Sequence, residues 1–258
     1  MPRSNEPGRT VGSRQLDILF AFRPGRSRLT LADLTRDTGL PHATVRRHVH
    51  ELLSAGALER GEDGRFTVGL RLWQLGTLAP LSLPLRTVAL PFMEDLHTAL
   101  DEHVQLAVRD GDHAVLIERF SSRRAISIVS QVGQHLPLHC SAVGKVLLAH
   151  ASEETISRVA DSRLRRFTDR TITDPVELRQ VLAECRSTGF GISREELSVN
   201  ADSVATRILN SQGNVVAALS VVVRTGSVNL STVRPSVITA GLSVSRCLGW
   251  TPAVGVQS

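Results

Sequence analysis

Four groups of side chains in this sequence have the types and spacing to do chemistry. The first is Thr44, Arg46 and Arg47, with His42 just before them, inside the stretch Thr30 to Gly56. At about 100° per residue, Ala43, Thr44, Arg47 and His50 fall on the side of a helix opposite the apolar stripe Val45, Val49, Leu52 and Leu53. A helix of this kind can enter a major groove. Arg47 can pair bidentately with guanine or hold a phosphate, and Thr44 can reach a thymine methyl or a phosphate. Arg46 and His42, at the edge of the face, suit phosphates; His50 sits too far along to reach a base. The plain alternative is an ordinary surface helix with a polar face. The second group is His135, His139 and Cys140, with His150 farther on. These are metal-ligand types, but no second spaced pair completes a tetrahedral set, so polar and core roles are expected and no metal. The third is Ser141 with Lys145, one helical turn apart. The S-x-x-K spacing of a Ser–Lys nucleophile is missed by one, no oxyanion partner is identifiable, and Lys145 reads as structural or as neutralising a carboxylate. The fourth is Glu195-Glu196, which could pass a proton; a solvated strand end, or a salt bridge to Arg194 or Arg207, is preferred. No catalytic residue, cofactor or metal is assigned.

The elements that would position these groups can be read in order. Met1 to Gly12, rich in Pro, Gly and Arg, reads as a mobile cationic tail. Ser13 is the expected cap of a helix with the apolar set Leu16, Leu19, Phe20 and Phe22. A helix from Leu31 to Thr38 is closed by Gly39 in a left-handed conformation, and Pro41 opens the next, which stops near Ala55-Gly56. Leu58 starts a short strand, Glu62-Asp63-Gly64 makes a hairpin turn, and Arg65 to Val68 return. A hairpin directly after a recognition helix is the wing of a winged helix, and Arg60 and Arg65 then sit near a phosphate or minor groove. Leu70 to Ala79 is helical and apolar, and Pro84 is expected to break it. Leu85 to Leu100 is a further amphipathic helix carrying Val88, Phe92, Leu96 and Leu100. The domain boundary is placed near Pro80 to Pro84. Trp73, Leu72 and Leu75 would be exposed on a lone linker helix, so a dimer is expected. Beyond it, strands are expected at 104–108, 114–120, 125–129, 190–193, 202–210 and 215–223. Helices are expected at 141–150, 175–187 and 233–248. Strand pairs interrupted by helices make an α+β domain with an antiparallel sheet.

With 258 residues, 41% hydrophobic and 21% charged, the chain has the composition of one large or two modest globular domains. No apolar run approaches the ~20 residues that span a bilayer, and the N-terminus lacks the apolar core of a secretion signal. A cytoplasmic protein without membrane partners is expected. Three widely spaced cysteines supply neither a disulfide framework nor zinc-finger spacing. Net charge is +5, and arginines crowd the first part of the chain, which suits a polyanion partner. The absence of tyrosine and an aromatic content of 3% argue against base-stacking on single strands.

LPLHCSAVGKVLLA, residues 136–149, adds a second signal. Together with Leu31-Ala32, Thr38-Gly39-Leu40, Thr44-Val45, Arg47 and Gly56-Ala57-Leu58, it makes the chain resemble the IclR family of bacterial transcription regulators. Gly133, Thr168, Thr171-Ile172-Thr173, Gly189-Phe190, Glu195-Glu196, and Gly213 with Val215 through Val221 extend the likeness over nearly the whole length. The resemblance implies a winged helix-turn-helix at 13–69, a dimerising linker helix at 70–84 and a GAF-like effector-binding domain at 85–258. It further implies a repressor or activator that binds double-stranded operator DNA as a homodimer or tetramer and responds to a small organic acid. Family members that bind small carboxylates hold them against backbone N–H groups that correspond to Ala142 and Val143, and with side chains at the positions of Ser193, Ser203, Ser220 and Val222. A helix N-terminus suits an anion physically. The family often has Asp at Ser193, Cys at Ser203, Ser at Val222, Gly at Asn200, Pro at Arg207 and Ser at Ala43. The loss of an acid and a hydroxyl predicts a ligand with an anionic end and a larger apolar part. A different class, a metabolite-processing enzyme on the C-terminal domain with the N-terminal helices as an assembly module, lacks a nucleophile–base–orienter set and a phosphate loop.

Overall fold

The computed structural model describes residues 10–78, 83–122 and 130–252. The chain divides into two compact units, Met1–Leu83 and Pro84–Ser258.

In the smaller unit three helices, α1 (Val11–Phe20), α2 (Leu31–Thr38) and α3 (His42–Ser54), precede a two-stranded hairpin of β1 (Leu58–Arg60) and β2 (Phe66–Val68). The cap of α1 is Thr10 rather than Ser13. The Thr10 hydroxyl oxygen accepts from the Ser13 N–H, which places Ser13 inside the first turn and makes Val11 and Gly12 helical rather than tail. The apolar set also differs. Ile18 and Ala21 are buried while Leu16 and Phe20 are exposed, because the face of α1 turned to the core is set by where α3 lies. Thr30 and Asp33 form a reciprocal capping box on α2, and Gly39 ends it with φ +65°. Ile18, Leu34, Val45, Val49, Leu58 and Phe66 make one core under the hairpin. The helix α4 (Leu70–Gly76) follows, with Trp73 66% exposed and Leu70 and Leu75 also outside.

The larger unit is a six-stranded antiparallel sheet between two helical layers. Its strands are β3 (His103–Asp110), β4 (His113–Phe120), β5 (His135–Pro137), β6 (Phe190–Arg194), β7 (Ala201–Leu209) and β8 (Val215–Arg224). Their order across the sheet is β5-β4-β3-β8-β7-β6. One face packs on α5 (Leu83–Leu100) and α9 (Leu230–Cys247) through Leu106, Val204, Leu219, Val221 and Val223. The other face packs on α6 (Ala142–Ala149), α7 (Glu153–Ala160) and α8 (Pro175–Thr188) through Ala107, Ala205 and Ala218. Side chains alternate across a strand, so Gln105, Ser203, Ser220 and Val222 share the face of the small alanines. α4 ends at Gly76, and Pro84 lies in the first turn of the separate helix α5, where its missing N–H is no loss. The buried stripe of α5 is Leu85, Ala89, Met93 and Leu96, with Val88 and Phe92 at its margin. β5 and α7 were not anticipated: one is three residues long, and the other begins with the charged pair Glu153-Glu154. The expected strand at 125–129 lies outside the described residues.

Candidate functional site

The exposed face of α3 carries His42, Ala43, Arg46, Arg47 and His50, with Thr44 half-buried beside them. Val45, Val49 and Leu52 hold the opposite face to the core. His48 is buried there too. It lies three residues after Val45 and four before Leu52, a spacing that marks it as core in spite of its polarity. Its Nδ1 is 2.9 Å from Glu51 Oε2, which also accepts from Gln15 Nε2 at 2.8 Å. These hydrogen bonds, that from His48 first, hold the Glu51 carboxyl below its usual range. Glu51 is also 4.0 Å from Arg47 Nε, a loose contact that leaves the guanidinium mostly in solvent. At the hairpin, Gly64 takes φ +74° in the turn. Arg60 lies over the Phe66 ring at 5.8 Å, and Arg65 is 3.8 Å from Asp63.

In the larger unit a cavity of about 770 Å³ opens between the sheet and the N-terminus of α6. All six positions singled out in the sequence line it: Ala142, Val143, Ser193, Ser203, Ser220 and Val222. Ser141 caps α6; its hydroxyl donates to the Pro137 carbonyl at 2.7 Å and accepts from Gly144 N at 3.1 Å. Ala142 and Val143 are the first two residues of the helix, whose N–H groups have no carbonyl four residues earlier to bond. Gly144 lets the 137–138 backbone cross against the helix, since a Cβ there would stand 2.6 Å from Pro137 O and 2.7 Å from Leu138 Cα. The Ser193 hydroxyl donates to Cys140 O at 2.8 Å, tying β6 to the residue before the cap.

Lys145, 1% exposed, donates to Glu196 Oε1 at 2.5 Å and to Ile192 O at 3.0 Å. The expected partners Arg194 and Arg207 are thus not the ones found. Glu196 turns inward to the lysine, and Glu195 pairs with Arg170 at 3.2 Å. Burial pushes the Glu196 carboxyl up, against the pull of Lys145. Thr168 and Thr171 donate their hydroxyls to the carbonyls of Glu195 and Glu196, both at 2.7 Å. The segment that follows, with Leu197 and Ser198 on the cavity, is therefore anchored at its start by three side chains.

At the mouth, Arg158 grips Asp112 through both Nε and Nη2, the shortest contact being 2.7 Å. His139 donates Nε2–H to Arg165 O at 3.0 Å, and burial lowers its pKa. Burial pushes the Cys140 and Cys185 thiols up to about 12, so neither is a ready nucleophile. Among the described residues no cluster of His, Cys, Asp and Glu could hold a metal ion, and no helix is long and apolar enough to cross a membrane. Gln105, Ser130, His139 and the arginines at the mouth were not singled out in the sequence as cavity residues. Only Gln105 carried a signal, as the polar side chain inside the otherwise apolar run Val104–Val108.

The family described as IclR helix-turn-helix domain matches residues 13–62, and that described as Bacterial transcriptional regulator IclR C-terminal matches residues 79–246. The chain is 30% identical over 251 residues to the HTH-type transcriptional regulator KipR of Bacillus subtilis (strain 168), covering 96% of this chain and 99% of the relative. It is also 30% identical over 239 residues to the Pca regulon regulatory protein of Pseudomonas putida, covering 92% and 81%. A crystal structure of an IclR homolog from Microbacterium hydrocarbonoxydans, complexed with 4-hydroxybenzoate, superposes with a TM-score of 0.87 at 35% identity, over 93% of this chain and 99% of that one.

Proposed function

The chain belongs to the IclR family of bacterial transcription regulators, and on that premise we propose that it is an operator-binding switch for an apolar or aromatic carboxylate, and not an enzyme. One observation carries the reading. The six residues at the family's ligand positions converge on a single cavity walled by the start of α6. The Ala142 and Val143 N–H groups and the positive end of the helix favour a carboxylate there. Ser193, Ser203 and Ser220 supply hydroxyls, while Val222 makes one side apolar. The relative crystallised with 4-hydroxybenzoate binds an acid of this class.

On the DNA side, Thr44 and Arg47 read the major groove, and Arg46, His42, Arg60 and Arg65 meet phosphates. Residues 13–69 serve as the DNA-binding domain, 70–84 as linker and 85–258 as effector domain. The exposed Trp73, Leu75 and Leu78 are covered by a second copy, so the unit that binds DNA in the cytoplasm is a homodimer or a pair of dimers. Effector binding shifts the arrangement of the two recognition helices and with it operator affinity.

The test is a gel shift with DNA upstream of the chain's own gene and its neighbours, with calorimetry of candidate acids alongside. The expected result is salt-sensitive, sequence-specific binding that an aromatic or branched acid alters. Absence of any specific site would return the enzyme reading. Binding of two-carbon acids alone would overturn the enlarged apolar pocket.

A further inference from the structure

The cavity holds one buried amide, Gln105, that lies outside the family's ligand positions and stands beside one of them, Ser220. Ser193, through its bond to Cys140 O, marks the end of the floor beside the start of α6. Gly191 on the same strand lies close under Ala142, where an added Cβ would be 3.2 Å from the Ala142 carbonyl. Gln105 is on β3, and β7 and β8 stand between it and β6. At about 4.8 Å per strand the two ends are roughly 14 Å apart.

Gln105 is 3% exposed in the buried run His103–Ala107, where every neighbour on its strand but His103 is apolar. A buried amide costs stability unless its hydrogen bonds are made. Its Nε2 donates to Ser130 Oγ at 3.1 Å. Ser130 is held in turn by Arg119, the β4 neighbour of Gln105, which donates Nη1–H to the Ser130 carbonyl. The Gln105–Ser130 bond engages the amide nitrogen, and the carbonyl oxygen has no donor among the described residues. Directly across the β3–β8 ladder stands Ser220, 1% exposed, whose hydroxyl makes no hydrogen bond to a described residue. Both side chains line the cavity. An acceptor and a hydroxyl side by side, on a cavity floor shared with Ser203 and Val222, suit a neutral hydroxyl that donates to Gln105 and accepts from Ser220.

We propose that Gln105 is a specificity-determining residue, and that with Ser220 it forms a distal subsite for a hydroxyl at the far end of the effector from its carboxylate. This rests on the carboxylate reading above and narrows it to hydroxylated acids.

The test is calorimetry on the full-length dimer with two matched pairs of probes, benzoate against 4-hydroxybenzoate and cinnamate against 4-hydroxycinnamate. The wild type is expected to favour the hydroxylated acid of at least one pair by about tenfold, the scale of one well-made buried hydrogen bond. Gln105→Leu is expected to remove that preference while binding the plain acid as the wild type does, and Ser220→Ala to shrink the ratio of hydroxylated to plain affinity, whatever it does to the plain acid itself. Should Gln105→Leu prove unstable by thermal melt, the Ser220→Ala result stands as the test. A hydroxyl preference that survives both substitutions, or none in the wild type although the plain acids bind, overturns the distal subsite and leaves the carboxylate reading intact. Binding of none of the four acids overturns the distal subsite, and the carboxylate reading falls with it if branched-chain acids also fail to bind.

Discussion

Replacing Lys145 by methionine removes the ammonium from the most enclosed ion pair among the described residues of the larger unit. The volume stays nearly the same, so the change is mainly electrical. Lys145 is 1% exposed and Glu196 7%, and the 2.5 Å contact between them is their main compensation for leaving water. Without the lysine, Glu196 keeps its carboxylate in the interior, with Oε2 already lacking a partner. Breaking a buried pair from one side costs about 3–5 kcal/mol. At roughly 2–4 °C per kcal/mol for a domain of this size, Lys145→Met should lower Tm by roughly 6–20 °C. The double variant Lys145→Met, Glu196→Gln carries no stranded charge and should recover more than half of that loss, which makes the two substitutions strongly non-additive. The pH dependence has a definite sign. Burial already raises the Glu196 pKa above its ordinary 4.5, and loss of Lys145 raises it further. A group whose folded pKa is raised adds stability that is fully present below the unfolded pKa and is lost as pH rises through the folded one. The single variant should therefore come closest to wild type near pH 4.5 and fall away toward neutrality. Circular-dichroism melts of the wild type, both single variants and the double variant, between pH 4.5 and 8, measure all of this. Additive effects, or a Lys145→Met cost below about 1 kcal/mol, would refute the argument that this pair is a desolvated charge interaction.

Four other outcomes are expected. Arg47→Ala should weaken operator binding at every salt concentration tested, by about 1–3 kcal/mol if it reads guanine, and a salt slope lower by about one would mark it as a phosphate contact instead; fluorescence anisotropy from 50 to 200 mM salt distinguishes the two. Gly144→Ala should cost about 1–3 kcal/mol in urea unfolding, because its Cβ meets backbone at 2.6 Å and the Ser141 hydroxyl at 2.5 Å, and unchanged stability would contradict that packing. His139 and His150 both have pKa values lowered chiefly by burial from 6.5, so the unfolded chain protonates first and stability should decline as pH falls below about 6.5; His150→Gln, which frees Arg207 from its 3.1 Å contact, should flatten that decline in melts at pH 7.5 and 5.5. On the proposed dimer, Trp73→Ser should lower the mass seen by light scattering at micromolar protein, whereas an unchanged mass would overturn α4 as the interface.

Much of this protein is legible along the chain because the deciding forces are local. Gly39, Pro41 and the 3.6-residue stripe of Val45, Val49 and Leu52 specify the second helix and its outward face without reference to anything distant. The Asp63-Gly64 turn specifies the hairpin in the same way, and Ser141 before a run of small residues specifies the start of α6. The family signal around Gly144-Lys145 extends this to the six cavity positions. Period-2 alternation then assigns Ser203, Ser220 and Val222 to one face once the strands are known. What the chain could not reveal are the choices that depend on a partner far away in sequence. Whether Ser13 or Thr10 caps α1 turns on one phase of a helix, and whether Leu16 or Ile18 is buried turns on where α3 lies. Glu196 is 51 residues from Lys145 and has arginines much nearer along the chain, yet β6 turns it inward to the lysine. Only a desolvated, enclosed position makes that pairing more favourable than the exposed alternatives. The same holds for Gln105: its residue type shows that something polar is buried in β3, but only the sheet order sets it beside Ser220 and roughly three strands from the start of α6, because distance across a sheet is decided by topology and not by spacing in sequence.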